Sequence, residues 1–157
     1  RGIYRVLKRH AYFVCFYGWP KAERFIEAWK AAGFRPAGHL VWVKNYASQQ
    51  RVVRYQHEAA FVLVKGAPGA PRAIISDVLE WRYTGNRYHP TQKPLVALLP
   101  LVLAYSKVGG IVLDPFIGSG TTAVAAAQLG RKYIGIEIEP KYCEIARTRV
   151  RNEASVA

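Results

Sequence analysis

The sequence predicts an α/β fold: a mostly parallel sheet flanked by helices, with an antiparallel hairpin at one edge. Three observations carry this. Short apolar runs of strand length alternate with segments of helical periodicity. One of these runs, Ile111-Val112-Leu113, enters a glycine-rich turn and then a helix of small residues. Another pair, Leu40–Lys44 and Ala59–Lys65, has only a polar segment between its members, which suits a hairpin better than a crossover. At 157 residues, 51% of them apolar, the chain is long enough for one domain with its own core and short for two, so residues 1–157 are expected to form a single domain.

In chain order, residues 3–9 suit the end of a helix. Ala11–Tyr17 is an unbroken apolar run closed by Gly18, Trp19 and Pro20, the pattern of a strand buried on both faces. Lys21–Ala32 places Ala22, Phe25, Ile26, Trp29 and Ala32 at helical spacing, and Gly33 supplies the stop. The hairpin strands follow, with Asn45–Glu58 expected as their loop. Ala67–Arg72, holding two prolines and a glycine, reads as loop, and Ala73–Val78 is the one apolar patch before Tyr88. From Pro94 a helix runs to about Ser106, with Pro100 costing it one backbone bond. After Gly109-Gly110 come the strand Ile111–Leu113, the glycine turn and a helix Thr121–Leu129 stopped by Gly130. A strand Tyr133–Ile138 and a last helix from about Pro140 to Asn152 complete the chain.

Charge is unevenly placed. Lys and Arg number 16 against 5 Asp and Glu over residues 1–93, and 7 against 5 over residues 94–157, so the first part is +11 and the second +2. Such a surface gains affinity for a polyanion by releasing counterions, which points to nucleic acid; a solvated basic surface is the plainer alternative. Tyr46, Tyr55, Trp81, Tyr83 and Tyr88 lie among these charges and can stack on unpaired bases, as they can also line a half-buried sheet. Lys44, Arg51, Arg54, Arg72, Arg82 and Arg87 are the candidate contacts. Cys15 and Cys143 stand far apart with no metal-ligand spacing, so both are expected as reduced packing residues and no metal is expected. The apolar stretch Leu95–Ala104 is broken by Pro100 and too short to span a membrane, and no signal-peptide pattern is present, so a cytoplasmic protein is expected.

Chemistry concentrates in Asp114-Pro115-Phe116-Ile117-Gly118-Ser119-Gly120-Thr121-Thr122. It lacks the Lys of a phosphate-binding P-loop, and no third glycine follows at dinucleotide spacing. What remains suits a ligand approached by backbone amides, with Asp114 placed to accept from an ammonium group; a tight turn capped by Asp114 is the structural alternative. Glu137, 23 residues beyond Asp114 at the end of the next strand, can accept two hydrogen bonds from the vicinal hydroxyls of a ribose. Glu139 competes for that role from further out on the same face.

These segments carry a family resemblance. His89-Pro90-Thr91-Gln92-Lys93-Pro94, a helix, and then VLDPFIGSGTTAVAAAQLGRKYIGIEIEPKYCEIA strongly resemble the permuted, beta-class amino-methyltransferases that modify DNA at N6 of adenine or N4 of cytosine. Residues 89–152 carry the resemblance closely, and VWVKN and YQHEAAFVLVKG fit it more loosely. It implies a Rossmann-like methyltransferase sheet, S-adenosylmethionine as cofactor and DNA as partner. By the resemblance, Asp114, Phe116, Gly118, Ser119, Gly120 and Thr121 form the methionine-side pocket and Glu137 holds the ribose hydroxyls. Ile138 packs on the adenine, and Thr91, Gln92 and Lys93 close over the methionine end. Taken as bare residues, Thr91 also suits a helix cap and Lys93 a solvated charge.

One departure outweighs these matches. The family's catalytic tetrapeptide is Asp, Asn or Ser, then Pro-Pro, then an aromatic; it holds the target amine and stacks on the flipped base. None of the nine prolines here adjoins another. By the resemblance the tetrapeptide lies just upstream of Arg1, so no catalytic residue is expected in this chain and the sheet is expected to be incomplete at its N-terminal side. By the resemblance, the strand leading to it lies between the strand ending at Asp114 and Ala11–Tyr17, and its absence leaves central backbone groups unpaired; an upstream segment is expected to fill the place, the alternative being an altered pairing of these strands. Gly66–Tyr88, 23 residues, is too short for a separate recognition domain, so specificity is expected to be short or supplied by the missing N-terminal segment or a second subunit of a homodimer. The leading expectation is the C-terminal part of a DNA methyltransferase, with residues 1–65 on the DNA side, 66–88 a loop region and 89–157 on the cofactor side. The others are a catalytically inactive DNA- or cofactor-binding relic and a methyltransferase of RNA or a small molecule.

Overall fold

A computed structural model describes residues 1–49 and 52–154. They divide into two compact units: Arg1–Ala70 with Ser76–Glu80, and Pro71–Ile75 with Trp81–Ala157. No helix of the described residues is long and apolar enough to cross a membrane, and no cluster among them could hold a metal ion.

The first unit holds helix α1 (Gly2–Val6), strand β1 (Ala11–Phe16), helix α2 (Ala22–Ala32), the long strands β2 (Arg35–Gln49) and β3 (Arg54–Lys65), and most of β4 (Val78–Trp81). The sheet order is β1-β3-β2-β4, with β3 antiparallel to both of its neighbours. The amphipathic face read from the sequence drives α2 onto this sheet. Trp29 is buried with Phe34 and Leu63, and Phe13, Phe25, Ile26 and Phe61 pack around them. The Trp29 and Phe61 ring centroids lie 5.3 Å apart, and those of Phe13 and Phe34 5.0 Å. Lys65 threads back to α1, donating from Nζ to the carbonyls of Tyr4 and Leu7, both at 2.6 Å, where the helix leaves acceptors unpaired.

Three details differ from the sequence reading. Residues 45–49 and 54–58, expected within the hairpin loop, continue its strands, because backbone pairing such as Val43 with His57 and Ser48 with Tyr55 does not require apolar side chains. An irregularity between Val43 and Ser48 absorbs the extra residues of β2. The residues of β1 are half-buried rather than enclosed on both faces, and among the described residues β1 has only β3 beside it in its sheet. β4, too short to show a period, joins the far edge, and the Val41 N–H donates to the Asp77 carbonyl at 2.8 Å.

The second unit holds helix α3 (Leu95–Tyr105), strand β5 (Ile111–Asp114), helix α4 (Thr121–Gln128), strand β6 (Lys132–Gly135) and helix α5 (Pro140–Glu153). β5 and β6 pair in parallel, Ile111 opposite Lys132 through Asp114 opposite Gly135, with α4 as the crossover. Ala123, Val124, Ala125 and Ala126 of α4 are buried, so the small residues permit close packing on nearly every side. Buried Arg131 ties the neighbouring connections, donating from Nε to Ser106 Oγ at 3.1 Å and from Nη2 to the Ser106 carbonyl at 2.9 Å. β6 ends at Gly135, short of the expected Ile138. Beyond it, Ile136 is drawn into the turn, its N–H donating to the Asp114 carbonyl at 2.9 Å and its carbonyl accepting from Ile117 N–H at 3.0 Å. The sheet order gives β5 only β6 as a neighbour and β1 only β3, so among the described residues each presents an open edge.

Candidate functional site

The site belongs to the second unit and begins where β5 runs out. Asp114 Oδ1 accepts the Phe116 N–H at 3.0 Å and Oδ2 accepts the Thr122 hydroxyl at 2.6 Å, so one carboxylate spans the turn from its first peptide to the first turn of α4. The Gly120 N–H closes the turn on the Ile117 carbonyl at 2.9 Å. Gly120 sits in the left-handed region at φ 86°, and a Cβ there would lie 2.8 Å from both Cα and Cβ of Ala146 on α5. Only glycine satisfies the backbone angle and the close helix contact together.

Glu137 answers from beyond β6. Its Oε1 accepts N–H groups of Ile138 at 2.8 Å and Glu139 at 3.0 Å, and its Oε2 accepts Gly118 N–H at 2.9 Å. The Glu139 N–H does most to hold this carboxyl below its ordinary value. The N–H groups of Gly118 and Ile138 and the nearby His89 add to that, against partial desolvation. Glu137 is therefore a fixed carboxylate, and Oε2 keeps room for a further donor. Two large apolar side chains lie bare beside it in sequence and in the turn: Ile138 is 90% exposed and Phe116 82%. Glu139, the competing acid, donates its N–H to Glu137 and begins α5 as its N-cap.

Of the remaining expected cofactor residues, Ser119, Thr121 and Gln92 serve the frame. Ser119 and Thr121 are buried, and their hydroxyl oxygens accept from Arg149 rather than facing outward. Gln92 is buried and its Oε1 accepts the Tyr88 N–H at 3.1 Å. Both the N–H and the hydroxyl of Thr91 lie 3.1 Å from His89 Nδ1, and Lys93 Nζ sits 5.7 Å from the centre of the Trp81 ring. His89, whose ring faces Gly118 and lies 4.3 Å from that of Tyr142, and Arg149 were not singled out by sequence reasoning. Arg149 leaves a trace there, as a charge at helical spacing from Tyr142, Ile145 and Ala146.

The expected DNA contacts are distributed over both units. Arg54 is exposed in the first, and Arg72, Arg82 and Arg87 are exposed in the second. Lys44 is paired with Glu58 and its side chain is only 9% exposed. Arg51 lies outside the described residues. The two cysteines differ in setting: burial pushes the Cys15 thiol up to about 11, whereas Cys143 Sγ lies 3.5 Å from the Glu137 carbonyl.

A fixed carboxylate, a glycine turn at a helix N-terminus and bare apolar side chains together suit a ligand with vicinal hydroxyls and a flat apolar face. Comparison with known proteins is in keeping with this chemistry. The family described as DNA methylase matches residues 1–148. YubD of Escherichia coli (strain K12), named as a methylase, is 51% identical over 148 residues, which are 94% of this chain and 65% of that protein. The type II methyltransferase M2.DpnII of Streptococcus pneumoniae is 54% identical over 65 residues, 41% of this chain and 24% of that one. The chain thus spans less than two thirds of the length of either relative. Among solved structures, M1.HpyAVI in complex with SAM matches with a TM-score of 0.81 and 25% identity, over 94% of this chain and 78% of that one. The PvuII cytosine-N4-specific DNA methyltransferase shares the fold, with a TM-score of 0.77 at 19% identity over 91% of this chain and 64% of that one.

Proposed function

The chain belongs to the N6/N4 DNA methylase family, and from that premise we propose that it is the cofactor-binding part of an S-adenosylmethionine-dependent DNA amino-methyltransferase. The observation that carries this reading is Glu137, an N–H-ringed carboxylate beside bare Ile138 and across from the glycine turn. S-adenosylmethionine, when bound, supplies a methyl group on a positively charged sulfur. Glu137 would accept hydrogen bonds from its ribose hydroxyls, and Ile138 would cover the adenine. Phe116, Gly118 and Gly120 would border the methionine end, where the first N–H groups of α4 favour a carboxylate. Asp114 keeps the turn in shape and carries the negative charge that an ammonium group would meet. Thr91, Gln92 and Lys93 would close over that end as part of the loop that His89 and Tyr88 anchor.

The acceptor in this reading is an exocyclic amine, adenine N6 or cytosine N4, of a base flipped from duplex DNA. Arg54, Arg72, Arg82 and Arg87 are proposed to meet the phosphates, together with Arg51. Lys44, already held by Glu58, is not counted among them. The residues that grip the amine are proposed to lie upstream of Arg1, on a strand that pairs with the open edge of β5. Support for this is the lack of any Pro-Pro pair and, among the described residues, the single neighbour of β5 in its sheet. The missing proline pair also favours a second reading, a relic that binds cofactor or DNA without methylating. A cytoplasmic location accompanies either one.

The test is incubation of the protein, joined to its upstream segment, with labelled S-adenosylmethionine and duplex DNA. Label entering DNA is the expected result. Cofactor binding with no transfer to any DNA favours the relic, and absence of both overturns the proposal.

A further inference from the structure

Arg149 is a charge inside the second unit, with 7% of its side chain exposed. Burying a guanidinium is costly unless it is paired and hydrogen-bonded, and here its N–H groups serve two different ends of the structure. Nε and Nη2 form a two-pronged pair with the Glu153 carboxylate, both at 2.9 Å. Nη1 turns the other way, donating to the Ser119 carbonyl at 3.0 Å, Ser119 Oγ at 3.3 Å and Thr121 Oγ1 at 3.0 Å. The Ser119–Gly120 peptide is therefore gripped on both sides, its carbonyl by Arg149 and its N–H by the Ile117 carbonyl. That peptide lies between Gly118 and Gly120, at φ 51° and 86°, where glycine offers the backbone the least resistance to rotation. The Arg149 guanidinium carbon also stands 4.9 Å from the centre of the Tyr88 ring, next in sequence to His89, whose ring faces Gly118.

We propose that Arg149 is a positioning residue for the cofactor turn: from α5 it locks the Ser119–Gly120 peptide and steadies the Tyr88–His89 segment, so that cofactor affinity depends on a side chain that does not touch the cofactor. The role rests on the reading of the turn as the S-adenosylmethionine site. Glu153 is part of the device, since it orients the guanidinium from the side away from the turn. Arg131 is the natural control. It is equally buried, at 7% exposure, and donates to the carbonyls of Ser106 and Leu129, away from the turn.

The experiment is calorimetric titration of S-adenosylmethionine into the wild-type protein and into Arg149→Lys, Arg131→Lys, Glu153→Gln and the Arg149→Lys/Glu153→Gln double variant, with thermal unfolding of each. Lysine keeps the charge but cannot reach both ends of the fork. Arg149→Lys is expected to weaken binding about tenfold, as for the loss of a hydrogen bond to a charged group. Glu153→Gln is expected to weaken it about threefold, and the double variant no further than Arg149→Lys alone, because both act through one guanidinium. Arg131→Lys is expected to lower the melting temperature and leave affinity unchanged. Wild-type affinity in Arg149→Lys, or an equal loss in Arg131→Lys, overturns the positioning role. No binding by the wild type overturns the cofactor reading itself, and the inference with it. Should Arg149→Lys not fold, Glu153→Gln decides alone, wild-type affinity there counting against the role.

Discussion

The two units use the same kinds of group for opposite purposes. In the first, a β-rich body is filled by large rings, and its charged side chains finish the packing: Lys65 caps α1, and Lys44 neutralises Glu58. In the second, the buried side chains of α4 behind the turn are small, and the carboxylates of Asp114 and Glu137 grip backbone N–H groups instead of cations. The first unit owes its form to the fit of bulky side chains, and the turn of the second to the close approach of α5 to its glycine backbone. The same substitution should therefore have different consequences in each. Removing volume should hurt the first most, and adding a single carbon should hurt the second.

The largest effect is expected from Leu63→Ala in the first unit. Leu63 is fully buried beneath Trp29 and Phe34, and the cavity should cost about 2–5 kcal/mol in urea unfolding. A loss under about 1 kcal/mol would mean that the rings close over the gap and that the contrast between units is wrong. Next comes Gly120→Ala, one methyl in the second unit. The strained angle and the 2.8 Å approach to Ala146 should cost about 1–3 kcal/mol of stability, with loss of S-adenosylmethionine binding by calorimetry. Unchanged stability would show that the turn has slack.

Glu137→Gln keeps the shape but removes the charge and one acceptor oxygen, and should raise the S-adenosylmethionine dissociation constant about tenfold and lower the melting temperature, because an amide nitrogen cannot accept the N–H groups a carboxylate oxygen holds. A pH titration examines the same group without mutation. Its folded value lies below the ordinary 4.5, so its contribution to stability is fully present above pH 4.5 and is lost as pH falls through the lower folded value. In Glu137→Gln that part of the acid profile should flatten, and an identical profile would remove Glu137 from the account. The smallest effect is expected at Cys15. With its thiol pushed up to about 11 it should remain unreacted with a thiol reagent at pH 8 in a Cys143→Ser background, and become reactive when urea opens the fold.

Legibility in the sequence also divides along this line. The face of α2 built from Phe25, Ile26 and Trp29 can be read from spacing, because an amphipathic helix writes its buried side at a period of 3.6. The extra length of β2 and β3 cannot, since residues such as Ser48, Arg54 and His57 are held by backbone pairing that leaves no hydrophobic pattern. β4 is as hard to read, because its four residues span only two repeats of the strand alternation, too few to stand out. At the site, Asp114, Gly118, Gly120 and Glu137 are legible because their roles are local to one turn and the next strand end. The inward turn of Ser119 and Thr121 is not, because it depends on Arg149, 28 to 30 residues further on.

By itself, then, the sequence determined the order of the elements other than β4, the glycine turn, the acidic strand end and the family whose motifs these are, all set by residues near one another along the chain. Tertiary structure alone decided which of these groups point outward. Glu137 faces the turn through Gly118 N–H, while Ser119, Thr121 and Gln92 are spent on holding the frame. A side chain's direction follows from what surrounds it on every side, and for the glycine turn much of that surrounding is α5 with its buried guanidinium.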